Sequence, residues 1–286
     1  MNLKDFLRIS KAEITLLILI VAVTGFISAP SASSKVFLLV PLIFAGAFAS
    51  MSASVLNNVY DMDLDWKMKR TSYRKEIVNS ESYRRITILA LVMLALSLVV
   101  SYIFINLLTM VFIFAGFLSY VVLYTIMLKR RTSLNIVIGG IAGSFPALAG
   151  WASVTGGVSW TAMFIAMLVF VWTPTHFWSL AMGTSEEYKQ AGIPMLPAVV
   201  GQPKAAKYIV VNTIVMIVYS LLPLYFHQIA VGRLYYFVAV AADLILVYYL
   251  AASFADKLSV KSFRKTFHYT NLYLLILLVS IWWIVA

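Results

Sequence analysis

Nine stretches of about twenty apolar residues follow one another along this chain, at approximately 13–29, 36–58, 86–105, 107–127, 134–154, 160–182, 206–226, 232–254 and 267–286. A helix needs about 20 such residues to cross about 30 Å of hydrocarbon. The composition leaves no room for a water-soluble alternative. The chain is 62% hydrophobic and 12% charged, against about 45–50% and about 25% in soluble domains. Lipid must be the solvent around most of it, and in lipid every backbone polar group has to be satisfied within the fold. The expectation is all-α: one transmembrane domain over residues 1–286, a bundle of nine helices around a central cavity.

The charges test this count. With nine helices and the N-terminus inside, the inner segments are 1–12, 59–85, 128–133, 183–205 and 255–266. They hold every Lys and Arg except Lys35, Arg233 and Lys207, and Lys207 lies just within the next helix. Cytoplasmic loops are enriched in these residues, so the N-terminus is expected in the cytoplasm and the C-terminus outside, in the cell membrane. The same bias accounts for the net charge of +11 without nucleic acid. There is no cysteine, which excludes disulfides, thiolate ligands and cysteine nucleophiles. No A-x-A-like site closes the first apolar run, so no cleavable leader is expected. The outer connections are short, whereas the inner loops 59–85 and 183–205 are long, and long loops in a compact fold tend to carry function.

The second helix runs into Asn57-Asn58-Val59-Tyr60-Asp61-Met62-Asp63-Leu64-Asp65. Asn57, Asp61 and Asp65 recur every four positions and share one helical face; Asp63 leaves it. Three oxygen-bearing side chains in a row suit a hard cation. Mg²⁺ in particular takes few carboxylates and fills its shell with waters and substrate phosphates. Lys67, Lys69, Arg70, Arg74 and Lys75 follow at once, and a carboxylate row beside cations suits a metal-bridged polyphosphate. Polar groups at the end of a membrane helix are costly and usually functional. Just upstream, Gly46, Ser50 and Ser54 read as a close-packing row.

Two further clusters lie at inner helix ends. Tyr124 precedes Lys129-Arg130-Arg131-Thr132, a run that serves either topology or a ligand. Trp172-Thr173-Pro174-Thr175-His176-Phe177-Trp178 places a proline inside a helix and a histidine among aromatics. His176 is either packed in an aromatic belt or acts as a proton carrier or iron ligand. Glu186, Glu187 and the run Ala191-Gly192-Ile193-Pro194-Met195-Leu196-Pro197 follow. Asp243, near the middle of the eighth helix, reads as a buried hydrogen-bonder. His227 and His268 receive no role.

These motifs resemble the UbiA superfamily of intramembrane prenyltransferases over about residues 10–280, most closely its haem-farnesylating branch. Asn57, Asp61 and Asp65 match N-x-x-x-D-x-x-x-D. Asp61-Met62-Asp63 and Met68-Lys69-Arg70-Thr71 match the haem branch's D-x-D and M-x-R-T. Tyr124, Lys129, Arg130 and Thr132 match its Y…K-R-x-T, residues 135–140 its N-I-V-I-G-G, and 172–178 and 191–197 its W-T-P-x-H-F-W and A-G-I-P-M-L-P. The chain departs from the pattern at Arg74-Lys75-Glu76, where the branch has R-P-L. It also lacks the second Asp-rich motif of the quinone-prenylating branches, which leaves a second metal site at Glu186 and Glu187 open.

The resemblance implies transfer of farnesyl from its diphosphate to a vinyl group of haem B, giving haem O. Asn57, Asp61 and Asp65 would hold Mg²⁺, and Arg70, Arg74, Tyr124, Lys129 and Arg130 the diphosphate. Trp172, His176, Phe177 and Trp178 would line the haem pocket, with His176 among the catalytic residues. The implied partners are farnesyl diphosphate, haem B, the bilayer and a downstream haem-modifying enzyme or terminal oxidase assembly. The alternatives are a UbiA-type enzyme acting on an aromatic or lipid acceptor, and a transporter of an anionic solute. Polar motifs gathered at inner helix ends, rather than at broken helices near the midplane, favour the enzyme.

Overall fold

The computed structural model describes residues 3–68 and 71–285, and every regular element in them is helical. In chain order these are α1 (Leu3–Ile9), α2 (Ala12–Ile27), α3 (Leu39–Tyr60), α4 (Met62–Asp65), α5 (Tyr83–Phe104), α6 (Leu107–Leu118) and α7 (Asn135–Gly139). There follow α8 (Phe145–Thr155), α9 (Trp160–Met182), α10 (Ser185–Gln190), α11 (Leu196–Val200), α12 (Gln202–Ser220), α13 (Arg233–Ala255) and α14 (Val260–Ile281). Among the described residues, seven helical segments are long and apolar enough to cross a membrane, from Ala32–Tyr60 to Arg233–Ala255. Two further helices fall outside that measure. α2 has 16 residues, and α14 carries Lys261, Arg264 and Lys265 in its first turns. Large apolar side chains such as Val40, Val99, Phe237 and Leu244 face outward. A surface so continuously apolar belongs in lipid.

Lipid tails are as apolar as leucine, so helices in a membrane associate through close packing and hydrogen bonds. The chain uses both. A Cβ on Gly25 would lie 2.1 Å from the Ala147 carbonyl oxygen, and one on Gly150 would lie 1.8 Å from that of Ala22. α2 and α8 thus cross backbone to backbone. The small-residue row on α3 packs as expected: Gly46 meets Leu19, and Ser50 shares a 2.9 Å hydrogen bond with Thr15 on α2. Ser52 and Ser97 join α3 and α5 by donating to the carbonyls of Ala90 and Ala45, each at 2.6 Å. On the other side α9 packs against α12 and α14, and α13 against α14. There Asp243 accepts from Tyr273 Oη (2.8 Å) and Ser220 Oγ (2.9 Å), which fits a buried hydrogen-bonder. Trp282 donates to Thr24 Oγ1 (2.9 Å), tying the last helix back to α2.

Three expected spans differ in detail. The fourth, expected as α-helix over 107–127, is α6 followed by a π-helix, Ser119–Leu128. Asn106 starts it by accepting from Thr109 N at 2.8 Å. The fifth, expected over 134–154, is α7, a 3-10 turn Gly140–Gly143 and α8. The last, expected over 267–286, begins at Val260 and ends at Ile281. Its charged first turns conceal the start from a hydropathy reading, although Ser259 caps it through Ser262 N.

Candidate functional site

The acidic row survives a break in its helix. α3 ends at Tyr60, and Asp61 leaves helical geometry (φ −91°, ψ 12°) before α4 resumes. The i→i+4 bonds continue across the break, from Asp61 N to Asn57 O (2.9 Å) and from Asp65 N to Asp61 O (2.8 Å). Asn57, Asp61 and Asp65 are therefore held in register, only 3%, 1% and 5% exposed. Asp63 leaves the row, as its position predicts, and its side chain is 57% exposed.

Buried carboxylates need partners; cations from two parts of the chain supply them, and a third part brings a cation to the amide of the row. Lys129 Nζ donates to Asp61 Oδ2 at 2.5 Å, and Arg130 Nη2 approaches Asp61 Oδ1 at 3.4 Å. Arg130 also forks onto Asp63 (2.7 and 2.9 Å) and lies over the Tyr60 ring. That hydrogen bond holds the Asp63 carboxyl below the usual carboxylate range. Arg74 Nη1 donates to Asp65 Oδ2 at 2.7 Å. Asn57 Nδ2 donates to Asp61 Oδ2 (2.7 Å) and to Thr125 Oγ1 (3.1 Å).

The cation from the third part lies in the inner segment 1–12, where the sequence marks it only as a topology signal. Lys11, the residue before α2, donates from Nζ to Asn57 Oδ1 (2.7 Å) and to Tyr120 Oη (3.1 Å). Burial first, then the charges of Arg74 and Lys129, push its ammonium down to about 7. The π-helix supplies the opposite wall. Its wider turn is marked by the i→i+5 backbone bond from Lys129 N to Tyr124 O (2.8 Å), and the Thr125 hydroxyl donates to the Tyr120 carbonyl (2.8 Å). It brings Tyr120, Thr125 and Lys129 to the acidic row together. Tyr124 packs on Gly139, where a Cβ would meet its ring at 2.6 Å. π-Helical turns are frequent at functional sites. Arg70 lies outside the described residues.

The donor set fits a hard divalent cation carried with a diphosphate. One amide oxygen and two carboxylates form the row. Among the described residues no three acidic or imidazole groups converge to hold a metal by themselves, so phosphate and water would complete a Mg²⁺ shell. Spare donors for phosphate exist as well. Nε of Arg74 and Nε of Arg130 are buried without a hydrogen-bond partner.

The aromatic cluster is a separate arrangement on α9 and α14. His176 is buried and stacks between Trp172 (ring centroids 4.2 Å apart) and Phe267 (4.5 Å), with Phe177 edge-on at 5.0 Å. Its Nδ1 lies 2.9 Å from Thr270 Oγ1, whose own proton goes to Phe267 O (2.7 Å). By that network Nδ1 carries the hydrogen, and Nε2 keeps its lone pair for a ligand. Trp172 Nε1 donates to Thr270 O at 2.7 Å. Phe267 and Thr270 carry no motif of their own and come from a helix about ninety residues away. Trp178 is not brought to this cluster; it packs with Ala205, Ile209 and Phe263 toward α12. Pro174 leaves α9 continuous, and Asn212 Nδ2 serves the Val171 carbonyl in the turn the proline opens (2.8 Å).

The two long loops pack on each other, with Leu64 and Met68 among Tyr188, Ile193 and Met195. Glu187 Oε2 is buried without a hydrogen-bond partner, and Glu186 accepts from Gln190 (3.3 Å).

Comparison with known proteins agrees with this geometry. The UbiA prenyltransferase family model matches residues 18–283. Protoheme IX farnesyltransferase 2 of Picrophilus torridus is 53% identical over 277 residues, covering 97% of this chain and 96% of that protein. Protoheme IX farnesyltransferase 1 of Cenarchaeum symbiosum is 41% identical, over 87% of this chain and 85% of that one. A UbiA homologue from Archaeoglobus fulgidus, solved with DMAPP and Mg²⁺, shares the fold at TM-score 0.73 and 18% identity, over 97% of this chain and 99% of that one.

Proposed function

The chain belongs to the UbiA prenyltransferase family, and from that premise we propose that it is a protohaem IX farnesyltransferase, making haem O from haem B and farnesyl diphosphate. One observation carries the reading: near-full-length identity above one half to a relative bearing that name. The buried Asn57–Asp61–Asp65 row with its ring of cations supports it chemically. Family membership sets aside the anionic-solute transporter that the basic loops allowed.

In the mechanism, Asn57, Asp61 and Asp65 would hold Mg²⁺, which would supply Lewis-acid assistance to the leaving diphosphate. Arg74, Lys129 and Arg130 exchange their carboxylate partners for phosphate oxygens and stabilise the negative charge that grows as the C–O bond breaks. Arg70 and Tyr124 belong to the same binding group. The farnesyl cation is attacked by the haem vinyl group, and water adds to the cation that results, leaving a hydroxyalkyl farnesyl substituent and a proton. Apolar walls keep water from the first cation. Trp172 and Phe177 line the haem side, without Trp178, which packs toward α12, and His176 presents Nε2 to the iron or to the added water.

The whole chain forms one domain of nine crossings around a central cavity, with α2 and α14 completing the seven longer spans. The basic loops face the cytoplasm, the N-terminus lies inside and the C-terminus outside, in the cell membrane. The product passes to a haem-modifying enzyme or a terminal oxidase assembly. The deciding experiment is mass spectrometry of haem extracted after expression in a host lacking haem O. A haem heavier by one hydroxyfarnesyl group is expected; unmodified haem B alone refutes the assignment.

A further inference from the structure

Lys11 is held in place at a cost. It adopts the left-handed backbone region (φ 52°, ψ 54°), which costs a non-glycine residue about 1–2 kcal/mol. Strained backbone of this kind persists only where surrounding structure over-determines it. Here the turn between α1 and α2 aims the side chain inward. Asn58 Nδ2 fixes that turn by donating to Ile9 O at 2.6 Å. The ammonium arrives at the one oxygen of the acidic row that carries no charge, Asn57 Oδ1.

That contact is incompatible with a metal on the same oxygen. A row that takes Mg²⁺ through Asn57, Asp61 and Asp65 must first release Lys11 from Asn57, just as it releases Lys129 from Asp61 and Arg74 from Asp65. Each released cation then faces whatever anion accompanies the metal. Lys11 differs from the other two in having no carboxylate to return to, since its hydrogen-bond partners are an amide and a phenol. A buried ammonium with neutral partners is paired more poorly than its neighbours, so it gains most from an incoming phosphate.

We propose that Lys11 is a further diphosphate-binding residue, resting on Asn57 Oδ1 until the metal–diphosphate claims that oxygen and then turning to a phosphate oxygen. The proposal rests on the prenyl-diphosphate reading above. It gives the turn before the first membrane helix a part in substrate binding.

The test is isothermal titration of full-length protein in nanodiscs with farnesyl thiolodiphosphate, a poorly cleaved analogue, in the presence of Mg²⁺. Lys11→Gln keeps a donor for Asn57 and Tyr120 but removes the charge; Lys11→Arg keeps the charge. Lys4→Met, at an exposed position in α1, is the control and should bind like wild type. Affinity is expected to fall about tenfold or more in Lys11→Gln, the scale of a lost hydrogen bond to a charged group, and to recover within about threefold of wild type in Lys11→Arg. Binding by Lys11→Gln within twofold of wild type would show that Lys11 merely props Asn57, and overturns the proposal. So does an equal loss in both variants, because shape and not charge would then be at stake. If wild type itself does not bind the analogue, the prenyl-diphosphate reading falls and this proposal with it.

Discussion

Asp61 and Asp243 are both buried carboxylates in an apolar bundle, and they are satisfied in opposite ways. Asp61 faces Lys129 and Arg130, brought from a distant segment, and the Asn57 amide one turn away. Asp243 faces two hydroxyls, Tyr273 and Ser220. Hydroxyls satisfy a carboxylate's hydrogen bonds but bring no charge to exchange with a ligand, so the Asp243 network ties α12, α13 and α14 together. Cations neutralise the carboxylate and can be traded for a metal and a phosphate. The partners, more than the burial, separate a site from a brace.

This contrast can be broken by substitution. The largest effect is expected for Asp61→Asn or Asp65→Asn. Turnover per folded molecule should fall by at least ~10²-fold, the scale of lost electrostatic stabilisation of a transition state, while the variants still fold. Full haem O production by either variant would remove the row from the chemistry. His176→Ala comes next. It should reduce prenylated haem by about 10²-fold, the scale of a misplaced substrate, yet leave titrated binding of the diphosphate analogue within a few-fold. Loss of diphosphate binding in this variant would merge two halves of the site that the structure keeps on different helices.

Asp243→Asn should invert the pattern. It removes a charged acceptor from two hydroxyls, so stability should drop by about 1–3 kcal/mol in a denaturation assay while haem O per folded molecule is unchanged. A large loss of turnover without loss of stability would make Asp243 part of the site. The smallest effect belongs to Asp63→Asn. Its pair with Arg130 is exposed, and exposed pairs contribute about 0–1 kcal/mol, so steady-state rates should change by only a few-fold. A collapse of activity would mean that Arg130 must be anchored on Asp63 to reach the substrate.

Local order was legible in the sequence; long-range convergence was not. The i, i+4, i+8 spacing of Asn57, Asp61 and Asp65 fixed their common face even though the helix breaks at Asp61. Lys129 and Arg130 were visible because they sit in a motif. Lys11 was hidden because a lysine at the start of a membrane helix is indistinguishable from a topology signal, and its partners lie 46 and 109 residues away. The π-helix was hidden because its sequence, Ser119–Leu128, is as apolar as an α-helical span. Phe267 and Thr270 were missed for a different reason. They pack against His176 from α14, and only the fold says which helix covers which.

The crossing of Gly25 with Ala147 and of Gly150 with Ala22 has a consequence for biogenesis. The first apolar helix inserts with its bare-backbone face unpartnered, and its mate is encoded roughly 125 residues later. At ~5–20 residues per second, the ribosome needs on the order of ten seconds to deliver it. Through that interval α2 waits in the bilayer, and Lys11, fixed at its start, waits with it. Closure of the α2–α8 crossing, and with it the final seating of Lys11 beside the acidic row, is thereby deferred until past the midpoint of synthesis.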